Sequence, residues 1–253
     1  MEASDTLDPA SMTPAPRNGQ ATHATRAVAA FAFDAVVFLV LMVVFSAVGV
    51  AATRGSPDLP GLLATVAVAT GGAALIVYRW RRRATPDERA ASLAAARRPA
   101  TWRAVAFVAG GVFAAANAAQ WLVGQAGVEV VPTNLPLIEQ ALALHPAIVV
   151  LFAAVLAPAY EELLFRRVLF GRLLDAGRPW LGLVLSSAVF ALMHELPYSG
   201  NPIEATLLLW AVYGGMGAAF AWLYWRTGTL LAPIVAHGLH NLASIAFLMG
   251  GNA

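Results

Sequence analysis

Residues 146–170 read PAIVVLFAAVLAPAYEELLFRRVLF, an apolar run broken by four charges, Glu161, Glu162, Arg166 and Arg167. About 20 apolar residues are enough for a helix to cross a bilayer, so this length predicts a transmembrane helix. Each charge inside a span costs about 2.5–3.5 kcal/mol on insertion scales. A passive anchor has no reason to carry that cost, so the charges mark this span as a place to look for chemistry.

Similar runs lie on both sides, at 27–52, 61–78, 104–124, 180–196, 204–225 and 229–249. Pro132 and Pro136 mark a loop before the 146–170 run. Gly177-Arg178-Pro179 is a helix stop and restart, and Pro197, Asn201 and Pro202 make another turn. The pattern predicts an all-α fold, a polytopic transmembrane helical bundle of about seven spans. Composition agrees. Of 253 residues, 59% are hydrophobic and 12% charged, half the roughly 25% of a soluble domain.

There is no Cys, which removes disulfides, thiol nucleophiles and Cys-ligated metals. All 16 basic residues are Arg, and the net charge of +2 is too small for a nucleic-acid binder. Abundant Ala and Arg without Lys resemble the usage of a GC-rich prokaryote. Residues 1–26 are polar and aperiodic and read as a disordered cytoplasmic tail, not a signal peptide. With the N-terminus inside and seven spans threaded, 15 of the 16 arginines fall in cytoplasmic segments or, for Arg166 and Arg167, towards the cytoplasmic end of the fourth span; Arg54 is the exception. The positive-inside rule then gives an integral protein of the cytoplasmic membrane, N-terminus cytoplasmic and C-terminus outside. The basic run 79–103 reads as a solvated loop that sets this topology.

Polar residues are unevenly spread. Residues 27–145 form N-terminal membrane helices with little intramembrane chemistry, and 146–253 hold nearly all of it. Glu162 and Arg166 are four apart, on one helix face, and can pair. Glu161 lies about 100° round the helix from Glu162. His194 follows Phe190 by four in the fifth span, and Asn241 follows His237 by four in the seventh. Glu161 and His194 each stand about 16 residues, or ~25 Å, from the turn at Gly177. His237 and Asn241 stand about 15–20 Å from the turn at Thr227-Gly228. All can share one layer, reached from the cytoplasmic side.

A carboxylate level with a His can hold and deprotonate a water, and a second His with an Asn amide can donate to an oxyanion. Alternatively, Glu161, His194 and His237 can ligate a divalent metal such as zinc. Residue types leave both open, so the cofactor is either none or one divalent metal. Competing signatures are absent. There is no G-x-S-x-G, and His194-Glu195 begins an H-E-x-x-H that fails at Tyr198.

The motifs Glu161-Glu162-Leu-Leu-Phe-Arg166, Phe190-Ala-Leu-Met-His194 and His237-Gly-Leu-His-Asn241 resemble those of the CPBP family. That family comprises CAAX-type prenyl-protein endopeptidases and bacteriocin-processing or bacteriocin-immunity proteins, and is also called ABI. The resemblance covers about residues 146–250. It implies an intramembrane endopeptidase acting on a membrane-associated peptide or protein. Glu161 would activate water with help from His194, and His237 with Asn241 would form the oxyanion site. Glu162 with Arg166 would order the first Glu or position substrate. The family is commonly labelled metalloprotease, and a metal-independent glutamate mechanism is also argued. The partners implied are the lipid bilayer and a peptide or protein substrate, with no nucleic acid. A non-catalytic immunity or scaffold protein of the same family is the alternative, and a proton-coupled transporter is a third.

Other polar positions have structural readings. Asp34 and Asn117 are expected to hydrogen-bond between helices. Glu195 is expected at the outer membrane interface, and His240, which points about 60° away from His237 on the helix, is expected either to support the site from behind or to be structural. Tyr213-Gly214-Gly215-Met216-Gly217-Ala218 is expected to be a close-packing stripe. Trp80, Trp102, Trp121, Trp180 and Trp225 are expected in the interfacial belt. His23 and His145 have no assigned role.

Overall fold

The computed structural model describes residues 17–197 and 200–251, with side chains from His23 onward. Among the described residues every regular element is a helix: α1 (Arg17–Ala52), α2 (Leu59–Arg81), α3 (Pro86–Ala96), α4 (Pro99–Gln125), α5 (Leu135–Leu144), α6 (Pro146–Asp175), α7 (Pro179–His194), α8 (Ile203–Thr227) and α9 (Leu231–Gly251). Six of these, all but α3, α5 and α7, are long and apolar enough to cross a membrane. The protein is an integral membrane protein with the polytopic helical bundle expected from its sequence.

Local sequence sets the ends. Asp58 caps α2 by accepting from the Gly61 N–H at 2.9 Å. Thr85 and Glu88 form a reciprocal capping box on α3, with Pro86 in its first turn. Gly228, at φ 72°, ends α8 in a left-handed conformation that suits glycine. Proline likewise opens α4, α6 and α7.

Three boundaries differ from the sequence reading. Helix α1 starts at Arg17, because no proline interrupts residues 17–56 and the span extends past its apolar part. The tail is therefore helical over 17–26, and its remaining residues, 1–16, lie outside the described residues. The basic loop holds α3, and the loop before the fourth span holds α5. The fifth span, α7, has only 16 residues, about 24 Å. It stops short of a full crossing.

Helix α6 lies at the centre. It packs on α1, α2, α7, α8 and α9, and Leu164, Phe165, Val168, Leu169 and Phe170 are all buried. Helices α7 and α8 approach closely at Gly217, where a Cβ would stand 3.0 Å from the Ser187 Cα. Gly217 therefore serves close packing as expected, whereas nothing lies within 4 Å of a Cβ at Gly214 or Gly215. Exposed Val36, Val40, Val43 and Val48 on α1 present an apolar surface that suits lipid.

Asp34 does bridge helices. Fully buried on α1, it accepts from Arg81 Nε and Arg172 Nε, both at 2.7 Å. Arg82 pairs with Asp175, and Arg167 with Glu88. These ties bind α1, α2 and α3 to the end of α6 along one arginine-rich face. Asn117 does not bridge; its Nδ2 donates to the Phe113 carbonyl in its own helix at 2.8 Å. A short amide on a lipid-facing stretch satisfies itself on the i−4 carbonyl.

Candidate active site

The α-helical geometry of α6 is interrupted on both sides of the two glutamates. Phe152–Leu156 and Leu163–Phe170 are π-helical, and Ala157–Glu162 between them is α-helical. Such segments rotate one stretch of a helix relative to the next and often lie at functional sites. Here a short α-helical stretch carries Glu161 and Glu162 towards α7 and α9.

Pro158 explains part of this. In the π-helical segment the Ala153 carbonyl would accept from residue 158, which is Pro and has no N–H. The orphaned carbonyl is satisfied from outside: Asn241 Nδ2 on α9 donates to Ala153 O at 2.8 Å. The neighbouring Ala154 carbonyl presses against Gly238, where any Cβ would collide with it. Helix α9 is thereby docked on α6 one turn from His237. The Asn241 amide is committed to the backbone of α6 through this bond.

Five of the six expected residues converge. Glu162 and Arg166 are wholly buried and paired, Oε2 to Nε at 2.8 Å. The guanidinium lies 4.9 Å from the Phe190 ring centroid, 5.5 Å from Phe220 and 5.7 Å from Phe165, faces that attract a cation. The other carboxylate oxygen of Glu162 accepts from His237 Nδ1 at 2.9 Å, and Phe220 stacks on His237 at 5.0 Å. His194 Nδ1 donates to the Phe190 carbonyl at 2.8 Å. The His194 ring lies between Phe190 at 4.2 Å and Tyr213 at 4.8 Å.

Glu161 sits between the two imidazoles. Its Oε2 lies 3.5 Å from His194 Nε2 and 3.9 Å from His237 Nε2, and no hydrogen bond satisfies it. Each imidazole has its Nδ1 proton engaged, so in the neutral ring each Nε2 carries a lone pair. Three acceptors thus converge. Exposure separates the group into two sets: Glu161 and His194 keep 19% and 20% of their side-chain surface, while Glu162, Arg166 and His237 keep 0%, 0% and 3%. The first pair can meet water and substrate, and the second set supports them. Among the described residues no group of three or more His, Cys, Asp or Glu is placed to hold a metal ion.

Comparison with known proteins bears on the same stretch. Residues 143–243 match the family of type II CAAX prenyl endopeptidases described as Rce1-like. These are the residues that carry the CPBP-like motifs. The CPBP-like region is 30% identical over 94 residues to YdiL of Bacillus subtilis (strain 168), described as a candidate membrane peptidase; the match covers 37% of this chain and 34% of YdiL. It is 31% identical over 96 residues to the membrane-embedded CAAX protease MroQ of Staphylococcus aureus (strain USA300), covering 37% of this chain and 36% of MroQ. The chain spans about a third of the length of these relatives. No solved structure matches. The CPBP-like region holds all six expected residues and the whole of α7 and α8.

Glu195 stands elsewhere than expected, and His240 does not. Glu195 is not at an interface: it is fully buried and takes hydrogen bonds from Thr133 and Asn201. Placing it at the surface assumed that the end of α7 reaches the membrane face, whereas α7 ends inside the bundle with Glu195 as its C-cap. His240 is buried against the edge of Phe113 at 6.2 Å and does not face Glu161. Sequence reading missed Tyr213 and Phe220, whose rings fix the two imidazoles. Their only signal was an aromatic at the level of each His. Trp80, Trp121 and Trp180 are exposed, as an interfacial belt requires.

Proposed function

We propose that this chain is an intramembrane endopeptidase that hydrolyses a membrane-associated peptide, with 146–253 as the catalytic unit behind a membrane platform, 27–145. The observation that carries it is the convergence of Glu161 Oε2 with two Nε2 atoms, each aimed by an anchored Nδ1. A water supplies two hydrogens and satisfies Glu161 and one imidazole at once. That places its oxygen for attack on a peptide carbonyl.

Glu161 takes a proton as the water oxygen bonds to the carbonyl carbon. His194, clamped between Phe190 and Tyr213, fixes the water's orientation. His237, aimed by Glu162, takes the oxyanion role when its Nε2 carries a proton, and then donates Nε2–H to the developing oxyanion. Glu161 then returns the proton to the leaving nitrogen as the C–N bond breaks. Arg166 keeps the Glu162 carboxylate charged and aimed at His237.

The family match over 143–243 supports the peptidase class, and the arginine-rich face supports a cytoplasmic placement of the α6–α7 turn. The test is Glu161→Gln and His194→Ala in purified full-length protein, assayed on a peptide library with and without chelator. Cleavage is expected to fall by about 10²–10⁴-fold in Glu161→Gln, and chelator is expected to have little effect on wild type. Normal cleavage by both variants would overturn the reading.

A further inference from the structure

The geometry points to Glu195 as a positioning residue that holds His194 in place at the end of α7. Helices α7 and α8 form an antiparallel hairpin, and Trp180 meets Trp225 at 5.4 Å near its arginine-rich end. At the other end, His194 meets Tyr213. Helix α8 runs on from Tyr213 to Ile203, ten residues or about 15 Å beyond that level. The chain therefore leaves helical structure at His194 while still deep in the bundle. Irregular backbone at such depth persists only where protein groups satisfy it.

Glu195 supplies that satisfaction. One carboxylate oxygen accepts from the Thr133 N–H at 3.2 Å and from the Thr133 hydroxyl. The other accepts from Asn201 Nδ2 at 3.0 Å, which also donates to the Val131 carbonyl. The Glu195 carbonyl accepts from Trp210 Nε1 on α8 at 2.8 Å, and its own N–H donates to Ala191 to close the last turn of α7. One residue thus joins the segment before α5, the turn after α7 and the body of α8.

The adjacent residue is His194. Its ring is fixed by the last turn of α7, through the Phe190 carbonyl, and by Tyr213 on α8. Both references belong to the structure that Glu195 ties. Without the carboxylate the final turn frays, and the His194 Nε2 loses its bearing on Glu161. The ion-pair reach between them, 3.5 Å, leaves little room for such drift.

The test uses full-length protein labelled with ¹⁵N-histidine in detergent micelles, with His194 assigned by His194→Gln. In wild type the His194 signal is that of one tautomer, protonated at Nδ1. In Glu195→Ala it is expected to shift towards tautomer averaging or to broaden. Thr133→Val, which keeps the carboxylate and removes one donor, is expected to show a smaller change in the same direction. With a fluorogenic library peptide that wild type cleaves, kcat is expected to drop about 10–100-fold in Glu195→Ala at nearly constant KM.

The kinetic arm rests on the endopeptidase reading, and the spectroscopic arm does not. If wild type cleaves no peptide, that reading fails and the His194 signal alone decides this one. An unchanged His194 signal in both variants overturns the positioning role, and so does an unchanged kcat in Glu195→Ala. If Glu195→Ala fails to fold, Thr133→Val carries both measurements, and its unchanged signal is the overturning result.

Discussion

His237 Nδ1 lies 2.9 Å from Glu162 Oε1, and this bond decides which nitrogen of His237 faces Glu161. The same glutamate holds Arg166 through its other oxygen, with all three side chains sealed from solvent. Glu162 thus fixes the imidazole tautomer and neutralises a buried guanidinium at once. Removing one partner of a buried pair costs about 3–5 kcal/mol, while replacing both by apolar groups is often neutral or stabilising. Glu162→Leu is therefore expected to lower thermal stability in detergent sharply. The double variant Glu162→Leu/Arg166→Met is expected to recover most of that stability without recovering cleavage. Recovery of cleavage along with stability would show that Glu162 acts on the fold alone.

Asn241 gives a second double-variant test. Asn241→Ala leaves the Ala153 carbonyl without its donor, at about 1–3 kcal/mol for an unsatisfied buried group. Pro158→Ala restores an N–H to that position of α6. The stability loss of Asn241→Ala is expected to shrink in the Pro158→Ala background, with a coupling of about 0.5–3 kcal/mol measured by thermal unfolding. Strict additivity would mean that Pro158 does not create the need for Asn241.

These relationships also mark what the sequence could tell. The level of Glu161, His194 and His237 was legible, because helix rise converts residue count into depth and both hairpin turns carry glycine. The Glu162–Arg166 pair was legible from its spacing of four. The partner of Asn241 was not, although Pro158 stood in the same run. Deducing it required knowing that α6 turns π-helical over Phe152–Leu156. Glu195 was misplaced for a related reason: an apolar run to residue 196 reads as a full span, and only the unequal lengths of α7 and α8, 16 and 25 residues, hint that one ends within the bundle. Asn117 failed because both its in-helix and between-helix options have the same sequence signature.

Stability should depend on pH through Glu88. The Arg167 guanidinium at 2.7 Å, aided by the Thr85 N–H, holds this carboxyl below its ordinary range. A depressed pKa in the folded state contributes stability that is present above the ordinary carboxylate pKa. That contribution is lost as pH falls through the lowered value. Glu88 is exposed to 44%, so the effect is small. The melting temperature of wild type is expected to decline more steeply below pH 4.5 than that of Glu88→Gln. Parallel curves for the two proteins would remove Glu88 from the acid transition.

Orientation can be read directly, because the chain has no cysteine to mask an introduced one. Arg89 on α3 and Glu204 at the start of α8 are both exposed, and the passage of α4, α6 and the α7–α8 hairpin between them is expected to put them on opposite faces. The arginine excess around residues 79–103 puts the first on the cytoplasmic side. In intact cells a membrane-impermeant maleimide is expected to label Glu204→Cys, and to label Arg89→Cys only after permeabilisation. The reverse pattern would invert the topology. It would also move the α6–α7 turn, and with it the approach to Glu161, to the outer side. Glu161 stands near the middle of α6, 15 residues from Pro146 and 14 from Asp175, so the labelling pattern decides from which side substrate and water approach it.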